Sequence, residues 1–244
     1  MRLDLFCVQQ GWFYSRNKAQ EAIQKGAIWV DNRAVLKSSF EVLENTKVEL
    51  KQEKYFVSRA GEKLWNFLEN NPIEIANSIV LDIGSSTGGF TQVMLQKGAK
   101  EVYCVDVGKN QLHKDLRGDS RIYLFEETDI RKFTPKEKNK IFDIIVCDVS
   151  FIPIQKIFHS LKDLIGNWLI LLFKPQFEVG KEARRNKKGV VLDEKKIQEA
   201  LWQTIIFLEK QELKVIKYEE SSVRGKEGNI EFFITCQRKR KRKS

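Results

Sequence analysis

The sequence predicts an α/β protein: a doubly wound sheet over most of the chain, preceded by a small α+β module. Three observations predict it. From residue 79 onward, short apolar runs alternate with amphipathic helical stretches, as expected when helices cover the faces of a sheet. The first apolar run leads into a glycine-rich segment, Leu81-Asp-Ile-Gly-Ser-Ser-Thr-Gly-Gly-Phe90, which reads as a strand-to-helix turn. The N-terminal segment instead carries two short helical patterns followed by closely spaced strand patterns.

Composition bounds the answer. The 244 residues, 42% hydrophobic and 31% charged, suffice for one large domain or a small and a medium one, and exclude disordered, collagen-like and coiled-coil chains. The densest apolar run, Trp168–Phe173, falls far short of the ~18 residues a membrane helix needs. Asp4 and Gln9-Gln10 interrupt any secretory signal, so a cytoplasmic protein with no membrane insertion is expected. Cysteines at 7, 104, 147 and 236 form no Cys-x-x-Cys pair and have two histidines for company, so no metal site is expected; Cys104 and Cys147 read as small buried hydrophobes. A formal charge of +10 favours a polyanionic partner, and the basic tail 238–244 supplies part of it.

In the N-terminal part, Leu3, Leu5, Phe6 and Val8 suggest an amphipathic helix ended by Gly11. Ser15 reads as the cap of a second helix, Arg16–Lys25, with Ala19, Ala22 and Ile23 on its apolar face and Gly26 as its stop. Ile28–Val30 and Ala34–Leu36 flank Asp31-Asn32-Arg33 as a hairpin, and Lys47–Lys51 alternates as a further strand. Arg16 and Lys18 lie in the first turn of a helix, where free N–H groups favour a phosphate; Lys25 and Arg33 extend the patch. The run Ser15-Arg-Asn-Lys-Ala-Gln-Glu-Ala-Ile-Gln-Lys-Gly26, with Ile28-Trp-Val-Asp-Asn32 after it, resembles the S4 RNA-binding domain. The expected division is an S4-like domain over 1–52, a linker over 53–60, the α/β domain over 61–237 and the basic tail over 238–244.

In the α/β part, strands are expected at Ile79–Ile83, Glu101–Val107, Ile122–Phe125, Phe142–Cys147, Trp168–Phe173, Lys214–Tyr218 and Glu231–Cys236, with helices in most intervals. Ligands bind such sheets beyond the C-terminal strand ends. There Gly84, Gly88 and Gly89 allow a sharp turn and close approach to a ligand, and Thr87 is placed to cap the next helix. The spacing is Gly-x-x-x-Gly-Gly, a poor pyrophosphate cradle. Asp82 precedes the first glycine, and Asp106 closes the second strand, where a carboxylate can hold ribose hydroxyls. This arrangement resembles the Rossmann-like S-adenosylmethionine (SAM) methyltransferase fold. The resemblance implies SAM as cofactor, held by Asp82, Gly84, Ser85, Thr87, Gly88, Gly89 and Phe90, with Asp106 on the ribose and Asp129 near the adenine.

The fourth and fifth strands run straight into Asp148 and Lys174, placing both at the lip of the sheet. A lysine directly after apolar strand residues is not an ordinary solvent-facing lysine, and it suits a base or positioning group for a hydroxyl. Tyr55-Phe-Val-Ser-Arg-Ala-Gly-Glu-Lys-Leu64, the glycine loop, Asp148-Val-Ser-Phe-Ile152, Lys174-Pro-Gln-Phe-Glu178 and Gly228-Asn-Ile-Glu-Phe232 together resemble the TlyA family, known both as hemolysins and as ribosomal RNA 2′-O-methyltransferases. That family sits with the FtsJ-like methyltransferases. The resemblance implies a Lys-Asp-Lys-Glu tetrad of Lys63, Asp148, Lys174 and Glu231, a monomer, and a cytidine ribose in rRNA within a ribosomal subunit as the target. Because the chain begins at the S4 helix, 23S rRNA in the large subunit is favoured, with 16S rRNA as a second target. The sequence departs from the family at Ala60, at Lys109-Asn110 and at Glu126-Glu-Thr-Asp129, none of them a tetrad position. A membrane-active hemolysin would need an apolar helix face the sequence lacks, and a non-catalytic assembly factor would not need the tetrad. Trp12, Trp29, Trp65 and Phe90 are aromatic residues to weigh for stacking on a flipped base, although core positions are the commoner fate of such side chains.

Overall fold

A computed structural model describes residues 1–239 apart from 14, 44, 52–55 and 136–139; the side chain of Lys18 and tail residues 240–244 also lie outside the described part. The chain forms two compact units, Met1–Tyr55 and Phe56–Ser244.

The first unit comprises α1 (Leu3–Gln9), α2 (Arg16–Gln24), β1 (Ile28–Val30), β2 (Arg33–Ala34) and β3 (Val48–Leu50), with the antiparallel strands in the order β2-β1-β3. Asp31 and Asn32 both take positive φ, as a two-residue hairpin turn between right-twisted strands requires. Leu3, Cys7, Ala19, Ile23, Ile28, Val30 and Val42 form the core. Two expectations change. The second hairpin strand is only two residues long, and α1 buries Leu3, Asp4 and Cys7 while Leu5 stays 43% exposed.

Asp4 is buried because it has partners. Arg2 donates to it from Nε and Nη2 at 3.1 and 2.9 Å, Arg16 Nε at 3.0 Å and Gln20 Nε2 at 2.7 Å, which joins α1 to α2. The Arg2 hydrogen bonds, followed by those of Gln20 and Arg16, hold the Asp4 carboxyl well below the usual carboxylate range. A depressed carboxyl contributes stability above its unfolded pKa that is lost as the pH falls. Asp4→Ala is therefore expected to destabilise this unit by about 1–3 kcal/mol at pH 7. The stability gap between variant and wild type should begin to narrow as the pH drops below about 4 and close only well below the usual carboxylate range; a gap that does not narrow with falling pH would contradict this role.

The second unit comprises α3 (Arg59–Asn70), β4 (Ile79–Ile83), α4 (Gly89–Gln96), β5 (Glu101–Val105), β6 (Ile122–Phe125), β7 (Phe142–Cys147), α5 (Ile154–Leu161), β8 (Ile165–Phe173), α6 (Pro175–Glu178), α7 (Glu194–Glu209), β9 (Leu213–Glu220) and β10 (Phe232–Arg238). Its seven strands lie in the order β6-β5-β4-β7-β8-β10-β9, parallel except that β10 runs antiparallel to both β8 and β9. Alternate strand residues feed two cores. Leu81, Ile145, Leu171 and Ile234 pack with α5 and α7 on one face, and Val80, Ile144, Ile170 and Phe233 pack with α3 and α4 on the other.

Several boundaries differ from expectation. β5 stops at Val105, β8 begins at Ile165, β9 extends to Glu220, and Glu231 lies just before β10. Between β5 and β6 there is no helix, and the described residues between β6 and β7 form one 3₁₀ turn, Ile130–Lys132. The cause lies in distant carboxylates. Glu126 accepts the N–H groups of Asn110, Gln111 and Leu112 at 2.7, 2.6 and 3.1 Å, fixing residues 108–117 as a turn-rich loop.

Candidate active site

Strand order explains where the polar groups gather. β4 neighbours β5 on one side and β7 on the other, so the winding reverses there and the C-terminal strand ends open a crevice. Gly84, Asp106 and Asp148 stand at the ends of β4, β5 and β7. Phe173 pairs with Phe232, so Lys174 leaves β8 where Glu231 enters β10.

The four polar residues form two close pairs. Lys174 Nζ is 2.6 Å from Asp148 Oδ1 and donates to Ser150 Oγ at 3.0 Å. The first contact is an ion pair without the alignment of a hydrogen bond, since Asp148 Oδ1 has no directed donor. Lys63, from α3, donates to Glu231 Oε2 at 2.6 Å with both side chains buried. Gln176, two residues after Lys174, reaches Glu231 Oε1 at 3.4 Å and links the two halves. Space for Glu231 depends on Gly225, where a Cβ would stand 2.6 Å from Oε1.

The glycine loop is tight for reasons internal to the protein. At Gly84, with φ of +78°, a Cβ would meet the Asp148 carbonyl oxygen at 2.6 Å, so β4 and β7 converge there only because the side chain is absent. At Gly89 it would meet Ser58 Oγ at 2.2 Å and Gly61 N at 2.7 Å, where α3 and α4 cross closely. Gly88 occupies the N-cap position of α4 in the left-handed conformation and no side chain caps the helix, which corrects the expectation for Thr87. Thr87 is half-buried and its carbonyl accepts from His113 N. Phe90 is 2% exposed and stacks on Phe233 at 6.2 Å, so it belongs to the core and does not line a cleft.

Around this loop, buried polar atoms await partners. Asp82 is fully buried, Oδ2 accepting from Thr91 Oγ1 at 2.6 Å while Oδ1 has no partner; burial pushes its carboxyl up to about 7. Ser58 Oγ and Ser85 Oγ are likewise buried without partners. Asp106 accepts from Ser86 N at 2.8 Å and Gly108 N at 2.7 Å, each of its oxygens keeping a further lone pair. Asp129 turns out differently from expectation. Its carboxylate is clasped by Arg131, which holds it down at about 2, and it caps the 3₁₀ turn. Its oxygens are thereby committed to the loop.

Of the expected RNA contacts, Lys25 and Arg33 are exposed, Arg16 is held by Asp4, and the Lys18 side chain lies outside the described part. Four residues that fall inside the quoted motifs but were given no role stand at the lip: Ser150, Gln176, Phe151 and Glu178. Phe151 is 88% exposed, has φ of +65° and leans on Phe177 with ring centroids 4.8 Å apart. Glu178 accepts from Ile154 N at 2.9 Å, tying α6 to the start of α5, and burial pushes its carboxyl up to about 7. An exposed aromatic in a left-handed conformation between Ser150 and Pro153 was the one detectable clue, and it is conformational rather than sequential.

Residues 56–238 match the profile of the FtsJ-like methyltransferases, and residues 1–48 match that of the S4 domain. A protein of Campylobacter jejuni named 23S rRNA (cytidine-2′-O)-methyltransferase TlyA is 43% identical over 96% of this chain and 98% of its own length. The chain belongs to the TlyA family of FtsJ-like methyltransferases. A second TlyA, from Mycobacterium tuberculosis and named a 16S/23S rRNA (cytidine-2′-O)-methyltransferase, is 32% identical over 96% of this chain and 88% of its own. A solved structure from Streptococcus thermophilus, named a hemolysin, superposes with a TM-score of 0.71 at 33% identity, covering 98% of this chain and 88% of that one. Among the described residues no helix is long and apolar enough to cross a membrane. For a TlyA chain the cofactor question becomes concrete. The partnerless oxygens of Ser58, Asp82 and Ser85, together with Asp106 at the next strand end, fit the amino-acid and ribose parts of SAM.

Proposed function

We propose that this protein is a SAM-dependent 2′-O-methyltransferase of cytidine in ribosomal RNA, acting on 23S rRNA of the large subunit. The observation that carries the reading is the Lys174–Asp148 pair at the strand-reversal edge, beside the unpartnered polar atoms of the glycine loop. The higher identity to a 23S-specific relative than to a dual-specific one favours the large subunit.

In this reading, Asp82 Oδ1 and Ser85 with the backbone of Gly84, Thr87, Gly88 and Gly89 receive the methionine part of SAM, and Asp106 receives its ribose hydroxyls. SAM supplies an electrophilic methyl group. A ribose hydroxyl is a weak nucleophile, so the protein's work is to align it and dispose of its proton. Lys174 Nζ orients the 2′-oxygen; once its ammonium has released a proton to solvent, the neutral amine takes the hydroxyl proton as the carbon–oxygen bond forms and the methyl–sulfur bond of SAM breaks, with Asp148 and Ser150 fixing the amine. Glu231 and Lys63, bonded to each other and tied by Gln176 to the segment of Lys174, hold the ribose and balance the charge. The division of labour follows the domains: the S4-like part, expected over 1–52, grips RNA through Arg16, Lys18, Lys25 and Arg33; the second unit, which catalyses, begins at Phe56 and so takes in most of the segment 53–60 expected as a linker as well as 61–237; the tail 238–244 adds diffuse attraction. The protein works as a monomer, and an rRNA substrate places it in the cytoplasm.

The exposed ring of Phe151 offers a stacking surface beside Asp148. Base–aromatic stacking contributes about 1–3 kcal/mol. Phe151→Ala is accordingly expected to raise KM for the RNA substrate by roughly 5–150-fold while leaving SAM affinity alone; an unchanged KM removes Phe151 from the substrate site. The reading as a whole is tested by incubating the protein with labelled SAM and purified 50S subunits, 30S subunits or free rRNA. Label in 50S is expected. Label in 30S alone would overturn the subunit preference, and label in none would overturn the function.

A further inference from the structure

We propose that the hairpin from Lys181 to Val191 is a docking surface for an RNA phosphate backbone, placed beside the site by Asn229. This rests on the rRNA-methyltransferase reading above, and its test is arranged to fail separately from it.

The hairpin is rigid by construction. Leu192 N donates to Arg184 O at 2.9 Å and Asn186 N to Val190 O at 3.0 Å, while Arg185 and Val191 form a bridge. At the tip, Asn186 Oδ1 accepts from Lys188 N at 2.9 Å and Val190 N at 3.0 Å, and Gly189 closes the turn with φ of +79°. Eleven residues here contain five cations and one carboxylate. The cations divide by role. Arg185 is spent inside the loop, donating to the carbonyl oxygens of Gly180, Lys181 and Ala183. Lys181, Arg184, Lys187 and Lys188 remain exposed, the last two at the tip.

Nearby acids do not cancel them. Glu182 is paired with Lys196 at 3.1 Å, and Asp193 caps α7. Glu194 is an exposed acid at the base, near Arg184. Four exposed cations on a braced loop concentrate positive potential without a backbone cost of ordering, which suits a polyanion with regularly spaced charges. The apolar members Ala183, Val190 and Val191 are buried or half-buried and Leu192, at the base, is 45% exposed, so the cationic tip carries no apolar side chain to insert into a bilayer, and RNA is the partner it fits.

Position ties the hairpin to the chemistry. Val191 N donates to Asn229 Oδ1 at 3.0 Å, and Asn229 is 6% exposed. Asn229 precedes Glu231 by two residues, its carbonyl accepts from Gly225 N at 2.9 Å, and Glu231 O accepts from Ser221 N at 2.8 Å. The root of the hairpin is thus bonded into the loop that carries Glu231.

The test measures binding of 50S subunits and free 23S rRNA to full-length wild type and to Lys187→Ala/Lys188→Ala across a series of salt concentrations. Each lost phosphate contact should flatten the slope of log Kd against log salt by roughly 0.7–0.9. The double variant should lose about 1.5 in slope and bind at least tenfold more weakly near 0.1 M salt, with unfolding temperature, SAM affinity and kcat at saturating subunits unchanged. An unchanged slope and Kd would overturn the proposal, as would loss of binding to phosphatidylglycerol vesicles in place of RNA. Because binding is read directly, the hairpin is judged even if the wild type transfers no methyl group, an outcome that would instead overturn the function.

Discussion

Replacing Lys174 with alanine is expected to lower kcat for methyl transfer by about 10²–10⁴-fold, the range lost with a positioned acid–base group. The change removes the amine that reaches both Asp148 and Ser150. Stability should fall less than when a fully buried pair is broken. Asp148 is 15% exposed at the side chain although its Oδ1 is buried, so the carboxylate left behind keeps partial contact with water. SAM affinity by calorimetry should match wild type, because Lys174 is not among the atoms around the glycine loop. A variant that binds SAM normally and retains more than a tenth of wild-type kcat would remove Lys174 from the chemistry.

Glu231→Ala should behave in the opposite way and damage the fold as well as the activity. Lys63 and Glu231 are 8% and 3% exposed at the side chain, and deleting the carboxylate leaves an ammonium group in the interior. Breaking a buried pair in this way costs about 3–5 kcal/mol. Substituting both partners, as in Lys63→Met/Glu231→Leu, should restore most of the stability because neither charge remains buried. Activity should stay absent in the double variant. Urea unfolding with a methyl-transfer assay on the same samples separates the two: stability and activity recovering together would mean that the pair serves only the fold.

How much of this was legible in the sequence depends on the range of the interactions. β4, β6 and β7 match their expected bounds to the residue: the buried β4 and β7 read as apolar runs interrupted only by Asp82 and Asp143, and the half-exposed β6 as four apolar residues between Arg121 and Glu126. The start of β8 was missed since Gly166 and Asn167 interrupt the run at the sheet's rim. Helices were expected in most intervals without being assigned to particular ones, and in 106–121 the chain is instead a loop fixed by Glu126, up to 16 residues away from the amides it accepts. Asp148 and Lys174 stood out as charges directly abutting apolar strands. Ser150, Gln176 and Phe151 did not, because their importance lies in what they meet. Phe90 was misassigned for the reverse reason: an aromatic next to a glycine loop reads as ligand-facing, but the first turn of α4 points it into the core against Phe233. Asp4 was invisible as a buried residue because its partners, Arg2, Arg16 and Gln20, come from two segments.

The measurement that bears most directly on the central claim is the chemical position of the transferred methyl. Digestion of treated 23S rRNA to nucleosides, followed by mass spectrometry, should yield 2′-O-methylcytidine from wild type and none from Lys174→Ala. A methyl group on the cytosine base, or 2′-O-methylcytidine formed equally by both proteins, would contradict the claim that this lysine and its carboxylate partners act on a ribose oxygen.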